Sequence, residues 1–370
     1  MALALSHCAS RPYLLLLLAF VSYKALILLI AAGSLAFRDY DTSTDCFVEL
    51  SSGPPPSALA KKFLRWDAVY FVHTAKEGYV YEQEWAFGIG FSSAIRGATT
   101  LARAMGFDMG ELVTGVILAH AAHLVAVLAL YHLTFTLLPP TAKRRQIAAL
   151  IPSLLHIVSP AGIFLSAPYA ESSFAALSFI GIFLFARGGQ HGPGSLSRCV
   201  LVVGSGVVFG ISAMFRSNGI LSGLLFLSEA IHGLLAWKGE DKLFTWRRMA
   251  DMAAICLGGL SLAAGFAWPQ VLAWMRYCNG GEIKVRPGWC EDIPPSIYTH
   301  VQSKYWSVIF ADTALGKTGY MLTHMQERRL SAVLDTQPDP PLCSRGTHAG
   351  PPHRIRAVRS EGSHRLPFAR

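Results

Sequence analysis

Long apolar runs separated by short polar stretches set the pattern of this chain. Tyr13–Phe37 is apolar with Lys24 as its only charge, while Leu112–Leu138 and Gln146–Ala170 contain no Asp, Glu, Lys or Arg. The last of these is interrupted by Pro152, Pro160 and Pro168. Ser172–Ala186, Cys199–Phe215, Ile220–Trp237 and Met252–Met275 complete the series. A bilayer core about 30 Å thick needs about 20 apolar residues in helical form. Backbone polar groups in lipid must be satisfied within the segment, so helices are expected. The pattern therefore predicts seven membrane-spanning helices, the shorter ones tilted or partly re-entrant. The first run outlasts a signal-peptide core, and no small-x-small cleavage site precedes Arg38, so it is expected to be a retained span.

The loops between the runs set an orientation. Lys143, Arg144, Arg145, Arg187, Arg198, Lys238, Lys242, Arg247 and Arg248 fall on one side. Arg216, Arg276, Lys284, Arg286 and Lys304 fall on the other. Positive-inside counting puts the richer set, and the N-terminus, in the cytoplasm. Two large loops, 38–110 and 276–306, then lie on the lumenal or extracellular side. Pairs such as Gly258–Gly259 fall inside spans, where close helix packing explains them. There is no internal repeat.

Composition agrees with that reading. Hydrophobic residues make up 52% of the 370 positions and charged residues only 15%, against about 25% charged in a soluble domain. Eight of the Arg and four of the acids lie in Met325–Arg370, so the first 324 residues carry 24 basic and 19 acidic groups, only +5 of the net charge of +9. No basic face remains for nucleic acid. The seven Cys lack metal-ligand spacing, and Cys8, Cys199 and Cys256 fall in or near spans as ordinary apolar residues.

Four polar clusters stand out. Arg65-Trp66-Asp67-Ala68-Val69-Tyr70-Phe71, followed by Glu82-Gln83-Glu84-Trp85, interleaves aromatics with carboxylates. That mixture suits an interfacial amphipathic helix. It equally suits a sugar site, in which rings stack on pyranose faces and carboxylates take hydroxyl protons. Asp67 is the sharpest general-base candidate, unless Arg65 pairs with it. Ser159–Ser172 carries Pro160, Pro168, Tyr169 and Glu171. Glu171 is either a functional acid at membrane depth or a cap on the next helix. Arg216-Ser217-Asn218-Gly219 separates two spans with almost no loop, and its Arg either snorkels to headgroups or clamps a phosphate. The last loop holds Cys278, Trp289, Cys290, Tyr298, Gln302 and Tyr305-Trp306. In an oxidising compartment Cys278 and Cys290 could pair, with Cys46 competing. His120 and His123 are three apart without a third partner, and packing explains them better than a metal.

These segments, in this order, resemble the GPI mannosyltransferase 2, or PIG-V, family (glycosyltransferase family 76). The match lies in Arg65–Phe71, Gly78–Gln83 with Ala86-Phe87, Ser159–Ser172, Phe215–Gly219, Trp289-Cys290, Pro295–Tyr298, Val301-Gln302 and Tyr305-Trp306. The resemblance implies an all-α polytopic enzyme of the endoplasmic-reticulum membrane, of the GT-C type, with its active site in the lumen. It would take dolichyl-phosphate mannose as donor and add the second mannose, in α-1,6 linkage, to the GPI precursor. Asp67 would be the catalytic base. Arg216 would balance the leaving phosphate, with Arg65 as the alternative. Trp66, Tyr70, Glu82, Gln83, Tyr169, Glu171, Asn218, Trp289, Tyr298 and Gln302 would surround the substrates. No cofactor is implied. A divalent metal is compatible, though no ligand cluster demands one. The family implies a small membrane partner in some organisms.

The resemblance stops after Trp306. Residues 1–306 are expected to form the membrane enzyme, and 307–370 to be a divergent, disordered tail rich in Arg, Pro and His. The family's further spans would then be missing from a truncated or frame-shifted product. Two other functions compete: a lipid or solute transporter, and a non-catalytic membrane subunit. Transporters often show repeated halves and ionisable groups at mid-bilayer depth, whereas these polar clusters lie at span ends.

Overall fold

A computed structural model describes residues 11–39, 44, 55–141, 144–238, 245–279 and 286–306. The expected tail lies outside the described residues, as do Cys8, Cys46, Lys143, Lys242 and Lys284. Among the described residues every regular element is helical. The main helices are α1 (Pro12–Gly33), α2 (Ala58–Lys62), α3 (Asp67–Glu77), α4 (Ile89–Ala104), α5 (Glu111–Leu137) and α6 (Arg145–Ile157). They continue with α7 (Glu171–Gly189), α8 (Leu196–Phe215), α9 (Gly223–Lys238), α10 (Trp246–Tyr277) and α11 (Ile297–Val301).

Six stretches are long and apolar enough to cross a membrane: Pro12–Ala36, Glu111–Leu137, Glu171–Gly189, Leu196–Phe215, Ser217–Leu235 and Trp246–Tyr277. Six of the seven expected spans thus appear within a few residues of their predicted ends. The seventh, Gln146–Ala170, does not. Its helix α6 ends at Ile157 after 13 residues, about 20 Å at 1.5 Å per residue. Residues 158–170 then run irregularly to α7. Pro152 is carried inside α6. Pro160 and Pro168 each lack the amide that a continuing helix needs.

Irregular backbone at membrane depth is tolerated only where protein satisfies its polar groups. Tyr23 Oη donates to Ser159 O at 3.1 Å, and Ser166 Oγ to Gly162 O at 2.7 Å. Leu165 O accepts from Lys24 Nζ at 2.8 Å and from Ser172 Oγ at 3.1 Å.

The helices pack through small residues. Val202, Phe209 and Ala213 of α8 form one core with Phe226 of α9 and Ala254, Ile255 and Leu262 of α10. Gly206 lies against the Gly258 backbone so closely that an added Cβ would fall 2.2 Å from Gly258 O. Leu29, Leu155, Leu224 and Leu260 stand exposed on outward faces, as expected where lipid replaces water. Gly206→Val should therefore force α8 and α10 apart and cost about 1–3 kcal/mol. Gly204→Val, whose added carbon meets open space, should leave stability unchanged. Thermal unfolding midpoints of the detergent-purified variants check the contrast.

Candidate active site

The connections after α1, α6, α8 and α10 meet at one end of the bundle. The segment leading into α3 places its side chains by alternating burial. Phe63 and Leu64 are buried before the turn, and Ala68, Val69, Tyr70 and Phe71 after it. Between them Trp66 adopts φ 50°, a left-handed conformation that costs a non-glycine residue energy. This turn leaves Asp67 as the first, half-buried residue of α3. Trp66 is 64% exposed, and its ring stacks on Phe164 at 5.9 Å between centroids.

Tyr169 fastens the same turn from the broken segment. Its hydroxyl donates to Arg65 O at 2.8 Å, and the residue is only 4% exposed. Its bond lands two positions before Asp67, and Glu171 follows Tyr169 by two positions.

Arg65 reaches back to the end of the first span. Its Nη2 lies 2.7 Å from Asp39 Oδ2, and Lys62 pairs with the same carboxylate. Hydrogen bonding from Lys62 first, and then Arg65, holds Asp39 below the usual carboxylate range. Asp39 had no sequence signal, because its partners lie more than twenty positions away across a loop.

Glu171 opens α7, and Arg216 follows α8 in extended backbone. The two form an ion pair across 45 positions. Glu171 Oε2 is buried and makes no hydrogen bond among the described residues. The first loop closes onto the end of α8 just before Arg216: a Cβ on Gly88 would sit 2.3 Å from Met214 O, which leaves room only for glycine. Asn218 is exposed just beyond Arg216.

In Glu82-Gln83-Glu84 the third residue is the most deeply held. Glu84 is 1% exposed; its Oε2 accepts from Val80 N at 2.7 Å and Tyr81 N at 3.0 Å, and its Oε1 lies 2.6 Å from His73 Nδ1. Burial, then the Glu84 charge, raises the Tyr81 phenol. The Tyr79 phenol rises mainly through burial. The family resemblance pointed to Glu82 and Gln83, whereas only the fold shows which carboxylate points inward. Glu82 instead faces His300 Nε2 at 3.6 Å and Lys304 Nζ at 3.9 Å, joining the first loop to the last. Gln83 is half-buried beside it.

Several expected contact residues are enclosed. Tyr70 stacks on Phe87 at 4.7 Å and is buried. Trp289, 2% exposed, belongs to a core with Trp85, Ile89, Ala273, Tyr277, Ile297 and Val301. A disulfide joins Cys278 to Cys290 beneath it, with Cα atoms 5.5 Å apart. Tyr298 N donates to Gln270 Oε1 at 3.3 Å, and both Tyr298 and Gln302 are half-buried. His123 is wholly buried in α5, its ring edge-on to Phe20 and His156. Among the described residues no group of three or more His, Cys, Asp or Glu is placed to hold a metal ion.

The site thus comprises three pieces of distant sequence: Asp67 on its strained turn, Tyr169–Glu171, and Arg216. Such a constellation offers a carboxylate for proton transfer and a cation for a departing anion. Residues 13–312 match the family described as Mannosyltransferase (PIG-V). The chain is 46% identical over 302 residues to the GPI mannosyltransferase 2 of Gibberella zeae, covering 81% of this chain and 68% of that protein. It is 37% identical over 341 residues to the GPI mannosyltransferase 2 of Chaetomium globosum, covering 81% and 70%. Similarity extends to the GPI alpha-1,6-mannosyltransferase 2 of Rattus norvegicus, at 30% identity over 282 residues, covering 68% and 52%.

Glu84→Gln keeps the size of the side chain but turns one acceptor oxygen into a donor facing buried N–H groups. The expected cost is about 2 kcal/mol, seen as a lower unfolding midpoint, whereas Gln83→Ala should change the midpoint little.

Proposed function

The chain belongs to the PIG-V mannosyltransferase family, and we propose that it adds the second mannose, in α-1,6 linkage, to the GPI precursor in the endoplasmic reticulum. As a family member it is a glycosyltransferase, and it is a multi-pass membrane protein. The proposed donor is dolichyl-phosphate mannose, met at the lumenal face of the bilayer. The observation that carries the reading is the convergence at Tyr169: its hydroxyl bonds Arg65 O two positions before Asp67, and the Glu171–Arg216 ion pair begins two positions after it.

The chemistry follows from those positions. Asp67 accepts the proton of the acceptor's 6-hydroxyl as its oxygen attacks the anomeric carbon of the donor. The bond from that carbon to the phosphate oxygen breaks on the opposite side. A β-linked donor therefore gives an α-linked product by one inversion. Dolichyl phosphate leaves as an anion and needs positive charge rather than a proton. Arg216 supplies that charge and is held in place by Glu171. Arg65 is the weaker alternative, because its side chain, turned to Asp39, is 22% exposed against 42% for that of Arg216. Trp66, exposed at the mouth, offers a ring face to a sugar. Glu82, Gln83, Asn218, Tyr298 and Gln302 border the same end, while Tyr70 and Trp289 support it from within. The competing transporter reading has no comparable support.

Transfer of labelled mannose from dolichyl-phosphate mannose onto the GPI intermediate in microsomes tests the assignment. Asp67→Asn should lower the rate at least about 100-fold, within the range of a positioned general base, with the protein still folded. Arg216→Gln should lower it about tenfold or more. An Asp67→Asn enzyme with unimpaired transfer would remove the base from the mechanism.

A further inference from the structure

Lys24 is the one charged residue of the first span, and a charge there is costly unless protein neutralises it. It is turned into the protein rather than outward. The residue is 8% exposed, and its ammonium donates to Leu165 O at 2.8 Å and Ser166 Oγ at 2.7 Å, with the Phe20 ring centroid 5.4 Å away. Both acceptors lie in the irregular segment that replaces the seventh span. Leu165 and Ser166 stand between Phe164 and Tyr169, both of which touch the Arg65–Asp67 turn. Phe164 stacks on Trp66, and Tyr169 donates to Arg65 O. The rings of Phe164 and Tyr169 also pack edge to face at 5.1 Å. A short path therefore runs from the lysine, through the carbonyl and hydroxyl it holds, to both contacts that fix Trp66 and Asp67.

We propose that Lys24 is a positioning residue for mannosyl transfer: it fixes residues 164–169 so that Phe164 and Tyr169 hold the Arg65–Asp67 turn in its reactive geometry. The proposal rests on the assignment of Asp67 as base. Its weight comes from the sensitivity of transfer to small displacements, where a shift of about 1 Å far from the reacting atoms can cost about 100-fold. Met at this position retains the length of the side chain and removes the charge and the donors. The segment would keep its proline-broken path and lose the clamp at its middle.

The experiment is a mutant cycle in the full-length protein, assayed in microsomes and normalised to folded protein by gel filtration in detergent. Lys24→Met and Tyr169→Phe should each lower kcat about tenfold, with KM within about twofold of the parent. The double variant should be no more than about twofold below the weaker single, because both remove the same constraint. Full kcat in Lys24→Met, or losses that multiply in the double variant, would overturn the proposal. Should Lys24→Met fail to fold, Ser166→Ala enters the cycle in its place, since it removes one of the two acceptors and leaves the bond to Leu165. The same two outcomes then decide. Asp67→Asn run alongside separates the two claims. If it stays active, the base assignment falls. If it is dead while the other losses multiply, only the role of the lysine falls.

Discussion

A carbonyl at membrane depth has no water to bond, and the structure depends on how the protein answers that requirement between residues 158 and 170. Pro160 and Pro168 prevent a continuous helix, so the carbonyls of Ser159, Gly162 and Leu165 are left without helical partners. Tyr23, Ser166, Lys24 and Ser172 supply them. Each unmet group in lipid would cost several kcal/mol, so these side chains are a condition for the segment to exist. In return, the chain gains a stretch of fixed, non-helical backbone inside a helical bundle. That stretch carries Tyr169 to the carbonyl of Arg65 and delivers Glu171 to the start of α7.

The same end of the bundle manages its charges in pairs. Asp39 is shared by Lys62 and Arg65, Glu171 engages Arg216, and Glu82 faces His300 and Lys304. Glu84 is withdrawn furthest and lies against His73 and two backbone amides. Exposed ion pairs contribute little stability, so their value here is geometric: each joins segments distant in sequence. The Glu171–Arg216 pair also keeps a guanidinium, 42% exposed in its side chain, from folding away against the membrane surface.

Much of this was legible in the chain because hydropathy reports on the bilayer directly. Six spans fall where their apolar runs lie, and the three prolines of Gln146–Ala170 already marked the one that breaks. The sidedness of the loops followed from helix count, which is why Asp67, Glu171 and Arg216 fall at one end. What was not legible concerns pairing across loops. Asp39 gives no local sign that Lys62 and Arg65 share it. Nothing in Glu82-Gln83-Glu84 says which carboxylate turns inward. Tyr169 reads as an aromatic near a sugar site, and the fold leaves it 4% exposed with its hydroxyl on the carbonyl of Arg65. Tyr70 and Trp289 carry the same lesson. Aromatic density marks the neighbourhood of a site, while burial decides which rings can face a substrate.

The turn at Trp66 shows why that division matters. A tryptophan at positive φ costs of the order of 1–3 kcal/mol and persists only where its surroundings over-determine it. Here three contacts do so: the Tyr169 bond to Arg65 O, the Phe164 stack on Trp66, and the Arg65 pair with Asp39. Relaxed backbone would turn the indole and the neighbouring carboxylate together, since they are adjacent on one strained turn. Holding the strain therefore fixes two groups at once, an exposed ring face and an acid at a helix start. In the proposed transfer the acceptor hydroxyl must meet the base while the donor ring stays in line, so both groups have to be in register. The buried aromatics and the broken span hold that register from behind.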